Sequence, residues 1–241
     1  MYFSKASTLT AVGCLSSLGL SVSLPVQERQ IVYCGDGNTP AFATTGDAEG
    51  GPGFYITNND VDANVKYFII ENSRDTHPWK YLDIPIGTRA FVSVCSTFQG
   101  RIQRGNPSVQ LDGNAHTLGT WVEASVDSTG AMYGDISFLE GCDGGAALGT
   151  TDGTNLVRGC TAANLLTGAP AAALITNDYG NAILDVTIDK PNRAYNAAAR
   201  AWELSVCDAA QVWIDDPNYN AGAIIRSGTG TFEVVFTNGV V

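Results

Sequence analysis

The sequence predicts an all-β protein, an antiparallel β-sandwich with irregular Gly- and Asn-rich loops. Short runs that alternate apolar and polar residues recur along the chain, as in "TRAFVSVC" and "TFEVVF". Gly, Asn, Asp and Pro separate these runs, which is typical of the strands and turns of a sandwich. Helical periodicity is weak, and "NLLTGAPAAALI" and "RAYNAAARAWEL" each have room for only a helical turn or two.

At the N-terminus, residues 1–23 are expected to form a secretory signal peptide. Lys5 precedes a stretch of apolar and small residues that runs to Leu20, and Ser21 and Ser23 then stand where a signal peptidase reads small side chains. The stretch is too short and too rich in Ser and Thr to span a bilayer. We therefore expect a secreted protein, extracellular or in the cell wall, whose mature chain starts near Leu24.

The remaining chain fits one domain, because β-sandwiches commonly reach ~200–250 residues as a single unit. Residues 24–64 are rich in Gly, Asn, Asp and Thr, so we expect an irregular N-terminal extension there. The β-rich runs begin at Val65 and continue to the end of the chain. The sandwich domain is therefore expected at residues 65–241, and we expect it to be monomeric.

Cysteine usage agrees with export. Cys14 falls in the signal peptide, so an odd number of cysteines remains, and at most two disulfides can form with one thiol left over. The sequence does not fix the pairing, but Cys142 with Cys160 would close a Gly-rich loop and is the preferred local pair. No CxxC motif or Cys/His cluster occurs, so no structural metal or other cofactor is expected. The five remaining cysteines are Cys34, Cys95, Cys142, Cys160 and Cys207.

The charge balance narrows the range of partners. The chain has 13 Lys and Arg against 24 Asp and Glu, which gives a formal net charge of −11. A surface of this sign repels phosphate backbones and anionic lipids, so we expect neither nucleic acid nor a membrane as a partner. Neutral polymers such as glycans remain suitable partners.

One hairpin is predicted in detail from "TWVEASVDSTGAMYGDISFL". Two alternating runs flank residues 128–130, and Gly130 stands at the left-handed position that a three-residue hairpin loop requires. This register pairs Val122 with Ile136 on an apolar face that should meet the core. On the other face it places Glu123 directly opposite Asp135.

Two opposed carboxylates need a physical explanation. Cβ atoms of opposed side chains on a sheet lie ~4.5–5.5 Å apart, and like charges there are destabilising. Such proximity raises the pKa of one carboxyl group, which is what a general acid requires. Trp121 and Tyr133 flank the pair, and their rings can stack on sugar rings. The alternative is an exposed acidic pair that water solvates or an arginine holds.

An arginine beside the acids is expected from "GRIQR". Arg101 and Arg104 lie three residues apart, so on a regular strand they point to opposite faces and at most one can meet the pair. We choose Arg104. Its guanidinium would hold the nearest carboxylate ionised and leave the neighbouring one as the proton donor.

Other enzyme classes fit the sequence less well. A secreted copper oxygenase would need a histidine at the mature N-terminus, whereas His77 and His116 both lie far along the chain. No G-x-S-x-G elbow of a serine hydrolase is present. The acidic loop "GCDGGAALGTTDGTN" lacks the ligand spacing of a known calcium loop.

The order of three segments, "GTRAFVSVCSTFQGRIQRGN", "TLGTWVEASVD" and "MYGDISFLEGCDGG", resembles that of thaumatin-like proteins. "TFEVVF" also resembles the closing strand of that family. The resemblance covers residues 65–149 and this last strand, and it indicates a distant, cysteine-poor member of fungal type. The residues that match the family's cleft are Arg104 (or Arg101 by a small shift), Glu123, Asp135 and Glu140, with Asp178 as a candidate for its last acid.

The resemblance implies a lens-shaped sandwich with an acidic cleft that binds β-1,3-glucan or a related cell-wall glycan. Some members of the family hydrolyse this glycan, so weak endo-β-1,3-glucanase activity is one expectation. The alternative is a non-catalytic extracellular wall-surface or effector protein that acts through protein partners. On the enzymatic hypothesis the catalytic residues are Glu123, Asp135 and Glu140, and the substrate-binding residues are Arg104, Trp121 and Tyr133.

Overall fold

The computed structural model describes residues 32–35, 42–189, 194–214 and 221–241, without the side chains of residues 42, 43 and 221. The signal peptide predicted at residues 1–23 lies outside these ranges. The described chain forms fourteen strands and two α-helices. The strands are β1 (Phe42–Thr44), β2 (Gly53–Asn59), β3 (Lys66–Glu71), β4 (Lys80–Leu82), β5 (Arg89–Ser93), β6 (Gln99–Gly105), β7 (Trp121–Val126), β8 (Met132–Ser137), β9 (Gly145–Thr150), β10 (Val157–Cys160), β11 (Leu174–Thr176), β12 (Ala182–Leu184), β13 (Ile225–Ser227) and β14 (Thr231–Thr237); the helices are α1 (Pro107–Gln110) and α2 (Ala197–Val206).

Two large sheets carry most of the strands, which confirms the predicted all-β sandwich. A 7-stranded sheet has the order β1-β4-β3-β6-β7-β8-β13, and a 5-stranded sheet has the order β10-β9-β14-β2-β5. Neighbouring strands are antiparallel except in the pairs β1–β4 and β2–β14, which are parallel. Strands β11 and β12 form a separate two-stranded sheet.

The core lies between the two large sheets. Alternate residues of β14, Phe232, Val234 and Phe236, are fully buried, as the alternation of the sequence requires. Phe236 stacks on Tyr67 of the 7-stranded sheet, with ring centroids 4.7 Å apart. Full burial of an apolar side chain of this size contributes about 1.5–3 kcal/mol, so these rows account for much of the stability of the sandwich.

The prediction of an irregular extension up to residue 64 is wrong for residues 53–59. These residues form β2, which pairs with β14 on one side and with β5 on the other. Phe54 and Ile56 are fully buried in the core, while Tyr55 and Thr57 alternate with them. The Gly- and Asn-rich composition around these residues favoured an irregular segment, whereas β2 lies in the interior of its sheet, between β14 and β5.

The predicted hairpin is confirmed residue by residue. The Asp127 amide donates to the carbonyl of Ala131 over 2.8 Å, and Gly130 has a φ of 83°, in the left-handed region. The Asp127 carboxylate also accepts from the amide of Thr129 at 2.7 Å, which tightens the loop. In the resulting register Glu123 is the cross-strand partner of Asp135.

Two disulfides and one free thiol are present among the described cysteines. The bonds join Cys34 to Cys95 and Cys160 to Cys207, and Cys142 is free and buried. The expected pairing of Cys142 with Cys160 is therefore wrong, because Cys160 reaches the end of α2 instead. Two disulfides fit an oxidising compartment.

Helix α2 is longer than the one or two turns expected from the sequence. The Asn196 side chain accepts hydrogen bonds from the amides of Ala198 and Ala199, and it thereby caps the start of the helix. In the described parts of the chain, we find no helix with the length and apolar character needed to cross a membrane.

Candidate functional site

A groove of about 220 Å³ opens on the 7-stranded sheet, on the face that points away from the core. Glu123 and Ser125 of β7 and Tyr133 and Asp135 of β8 line it, together with Asn72. The alternation of β7 and β8 sends these side chains to one face while their neighbours enter the core. The hairpin thus places both predicted carboxyl groups in one groove.

Asp135 is the electrostatically unusual member of the pair. Burial, and then the charge of Glu123, raise its pKa from 3.8 to about 8. Within the described residues its Oδ1 atom has no hydrogen-bond partner. Asp135 is therefore mostly protonated near pH 7.

The arginine beside the acidic pair is Arg101. Arg101 lies directly opposite Glu123, so Arg101, Glu123 and Asp135 form one row across β6, β7 and β8. Its Nη1 atom donates to Asp75 Oδ1 at 2.6 Å, and its Nε atom donates to Gln103 Oε1 at 2.9 Å. The guanidinium charge stabilises an ionised carboxylate at Glu123.

The choice of Arg104 for this role is wrong. Arg104 points to the core face of β6 and is completely buried. Its Nε atom donates to Asp60 Oδ2 at 2.8 Å and its Nη1 atom donates to Asp143 Oδ1 at 2.7 Å. The expectation that the two arginines occupy opposite faces is correct, but buried acids on the core side require the cation at Arg104.

The two predicted aromatic residues have different surroundings. Tyr133 lines the groove and is 40% exposed, and the Arg226 guanidinium lies over one face of its ring at 5.7 Å from the centroid, so the rest of the ring is accessible to a ligand. Trp121 lies one cross-strand row further on, and the Arg101 guanidinium covers its ring at 4.0 Å from the centroid. The Trp121 indole also donates to the carbonyl of Thr117 at 2.8 Å. Trp121 is therefore held in place, with one ring face already occupied.

Glu140 and Asp178 lie outside the groove lining. Glu140 follows β8, where its carboxylate accepts from the Thr117 hydroxyl at 3.5 Å and its carbonyl accepts from the amide of Gly119. Asp178 lies in the turn between β11 and β12 and bonds to His116. The structure thus brings Glu123 and Asp135 together, and it places Glu140 outside their groove, in contact with Thr117 and Gly119.

One group of donors in the described chain is close enough to hold a metal ion. It consists of Cys34, Cys95 and Glu71. The two sulfur atoms are bonded to each other in a disulfide, so they are not available as thiolate ligands.

Comparison with known proteins gives no family for this chain. No protein-family model matches the sequence, and a search of curated proteins finds no significant match. The resemblance to thaumatin-like proteins therefore stays a prediction.

Proposed function

We propose that the groove binds a neutral cell-wall glycan of the β-1,3-glucan class outside the cell, and that Asp135 and Glu123 hydrolyse it weakly. The observation that carries the proposal is a carboxylic acid with a pKa of about 8 directly opposite a second carboxyl group in an open groove. A net charge of −11 argues against a phosphate-bearing substrate, and a neutral glycan avoids that repulsion.

The two carboxyl groups suit the division of roles in glycoside hydrolysis. Asp135 donates its proton to the glycosidic oxygen, and the bond from that oxygen to the anomeric carbon breaks. Glu123, beside the Arg101 cation, is ionised and meets the positive charge that develops on the sugar. Water then adds to the anomeric carbon, and its proton returns to a carboxylate, so that both groups are restored.

The strand register favours one of the two stereochemical outcomes. Directly opposed residues have Cβ atoms ~4.5–5.5 Å apart, which favours the short carboxyl separation of ~5–5.5 Å found in retaining enzymes. Glu123 would then attack the anomeric carbon and form a glycosyl ester that water hydrolyses. The exposed ring of Tyr133 provides an apolar surface for a sugar ring next to this pair.

Binding and turnover of laminarin, a soluble β-1,3-glucan, test the proposal. Asp135→Asn and Glu123→Gln should each reduce the release of reducing ends by roughly a hundredfold or more, because each removes one of the two roles. Glu233→Gln is the matched control, since it makes the same change on the 5-stranded sheet at a half-exposed residue.

The outcomes separate the candidate functions. Binding without turnover by the wild type would reject the enzyme and leave a glycan-binding protein. Neither binding nor turnover would overturn the proposal and leave the non-catalytic protein that acts through protein partners.

A further inference from the structure

His116 joins two surface segments near the candidate groove. Its Nδ1 atom lies 2.8 Å from Asp178 Oδ2, and its Nε2 atom lies 3.0 Å from Asp112 Oδ1. Ionised carboxylates only accept hydrogen bonds, so both ring nitrogens donate when both contacts are made, and the ring is then the imidazolium. We call this arrangement, in which His116 bonds to both Asp112 and Asp178, the clasp. Deprotonation removes one of the two donors and therefore breaks one of its two bonds.

The surroundings of His116 favour its charged form. Burial by itself lowers the pKa of His116, but the bonds to Asp178 and Asp112 outweigh it and raise the pKa above 6.5. The same contact, followed by hydrogen bonds from Asn114, lowers the pKa of Asp112 to about 2. Among the described residues, the charged groups bonded to the ring are these two carboxylates, one on its own loop and one on the β11–β12 turn. The neighbouring Tyr179 accepts at its hydroxyl from Gln110 Nε2 at 2.8 Å.

The backbone of His116 continues into the candidate site. Its carbonyl accepts from Gln103 Nε2 at 2.7 Å, and Gln103 Oε1 accepts from Arg101 Nε at 2.9 Å. Two hydrogen bonds therefore connect the clasp to the arginine that lies opposite Glu123. Gln103 has almost no solvent exposure, so a shift of the His116 carbonyl would leave its amide without a replacement partner from water.

The next residue, Thr117, makes a second connection. Its carbonyl accepts from the Trp121 indole, and its hydroxyl donates to Glu140. Residues 116 and 117 together therefore bond to Gln103, Trp121 and Glu140, and Gln103 and Trp121 both contact Arg101. The His116 side chain anchors this short segment to the β11–β12 turn directly, and Gln110 adds an indirect link, because its Nε2 atom donates to the Tyr179 hydroxyl at 2.8 Å and to the His116 carbonyl at 3.5 Å.

We propose that His116 is a positioning residue for the candidate groove, and that its protonated ring keeps Arg101 and Trp121 in the arrangement that glycan binding requires. The effect on glycan binding rests on the proposed function, because the ligand is the proposed glycan. Laminarin affinity should fall by roughly fivefold as pH rises through the titration of His116. Asp135 also titrates in this region, so affinity alone does not isolate the effect of His116.

The experiment therefore includes a readout that needs no glycan. Nuclear magnetic resonance can follow the His116 ring, the Trp121 indole N–H and the Arg101 Nε–H between about pH 5 and about pH 9, a range that spans histidine titration. The Trp121 and Arg101 signals should shift with the midpoint of the His116 ring. In His116→Gln this shift should disappear, whereas in His77→Gln, the matched control at the chain's other histidine, it should remain.

A second variant protects the test against misfolding of His116→Gln. Asp178 is 44% exposed, so Asp178→Asn should fold, and it should lower the midpoint of the Trp121 shift by weakening one arm of the clasp. Trp121 and Arg101 signals that stay constant while His116 titrates would overturn the inference, whatever the glycan result. Signals that follow His116 in a wild type that binds no laminarin would support the positioning role and reject the proposed function instead.

Discussion

Arg104 and Asp60 form a doubly bonded ion pair inside the sandwich, with Nε to Oδ2 at 2.8 Å and Nη2 to Oδ1 at 2.9 Å. Asp60 also accepts from the amide of Gly239, so the pair connects β6 to the end of the chain. Arg104 further donates to Asp143 and to the carbonyl of Gly145. The Arg104 guanidinium thus neutralises two buried carboxylates, and its bond to Gly145 links the 7-stranded sheet to the 5-stranded sheet.

Arg104→Met should strongly destabilise the protein. The substitution keeps an unbranched apolar side chain but leaves Asp60 and Asp143 buried without their cation, which should cost about 3–5 kcal/mol. Urea unfolding near neutral pH measures the change. Arg89→Met is the control, because its pair with Glu233 is about half exposed and contributes only about 0–1 kcal/mol. A loss at Arg104 no larger than the loss at Arg89 would contradict the prediction.

Asp135→Asn should change how stability depends on pH. The pKa of Asp135 is about 8 in the folded protein against an ordinary value of 3.8, so the folded state holds more protons between these values. Stability from this group is therefore fully present below about pH 4 and is lost as pH rises towards about 8. The difference in unfolding free energy between the variant and the wild type should grow in the variant's favour over that window.

Unfolding in urea at several pH values checks this prediction. Glu233→Gln, with the same change of chemistry outside the groove, is the control for the loss of a carboxyl group as such. A constant difference between Asp135→Asn and the wild type from acid to neutral pH would show that the pKa of Asp135 is not raised.

The acidic pair could be predicted from the sequence because its causes are local. Gly130 fixes the loop, the loop fixes the register, and the register places Glu123 opposite Asp135. The role of Arg101 could not be predicted in the same way. The spacing of the two arginines gives opposite faces, but the core-facing one is selected by Asp60 and Asp143, which lie 44 and 39 positions away in sequence.

Two other errors also come from distant parts of the chain. The cysteines of the disulfides are separated by 61 and 47 positions, and nothing within a short window distinguishes these pairs from Cys142 with Cys160. Strand β2 did carry a local signal. Phe54 and Ile56 alternate with Tyr55 and Thr57, but the glycines around them favoured an irregular segment.

Cys142 should be unreactive in the folded protein. Its thiol is buried, and its Sγ atom contacts the Thr120 hydroxyl at 3.4 Å and the Gly144 carbonyl at 3.3 Å. Burial, and then the nearby Glu203, raise the pKa of the thiol, so little thiolate is present to react. In a chain that starts at residue 24, an aromatic disulfide reagent should detect no thiol before denaturation and one thiol after it.

Cys142→Ser provides the control for this measurement, because it should remove the signal of the denatured chain. Labelling of the native wild type at the rate of an exposed thiol would contradict the prediction. Slow labelling that accelerates in parallel with urea unfolding would agree with it, since access to the thiol then requires the open state.

Glu203→Met should stabilise the protein. Glu203 lies on the buried side of α2 with no solvent exposure, and among the described residues neither of its carboxyl oxygens has a hydrogen-bond partner. Burial raises its pKa well above 4.5, so the group stays protonated where an exposed glutamate is ionised. Methionine has a similar length and helix propensity without polar atoms to satisfy, so the gain should be about 1–3 kcal/mol.

The gain at Glu203 should also grow with pH. The folded state keeps the proton above pH 4.5 while the unfolded state loses it, so the wild type loses the stability from this group as pH rises, and Glu203→Met has no such contribution to lose. Glu203→Gln separates the two effects, because the amide removes the titration but leaves buried polar atoms unsatisfied. Urea unfolding of all three proteins at acid and neutral pH gives both quantities. A Glu203→Met variant that is less stable than the wild type at every pH would mean that the buried carboxyl group has a stabilising partner.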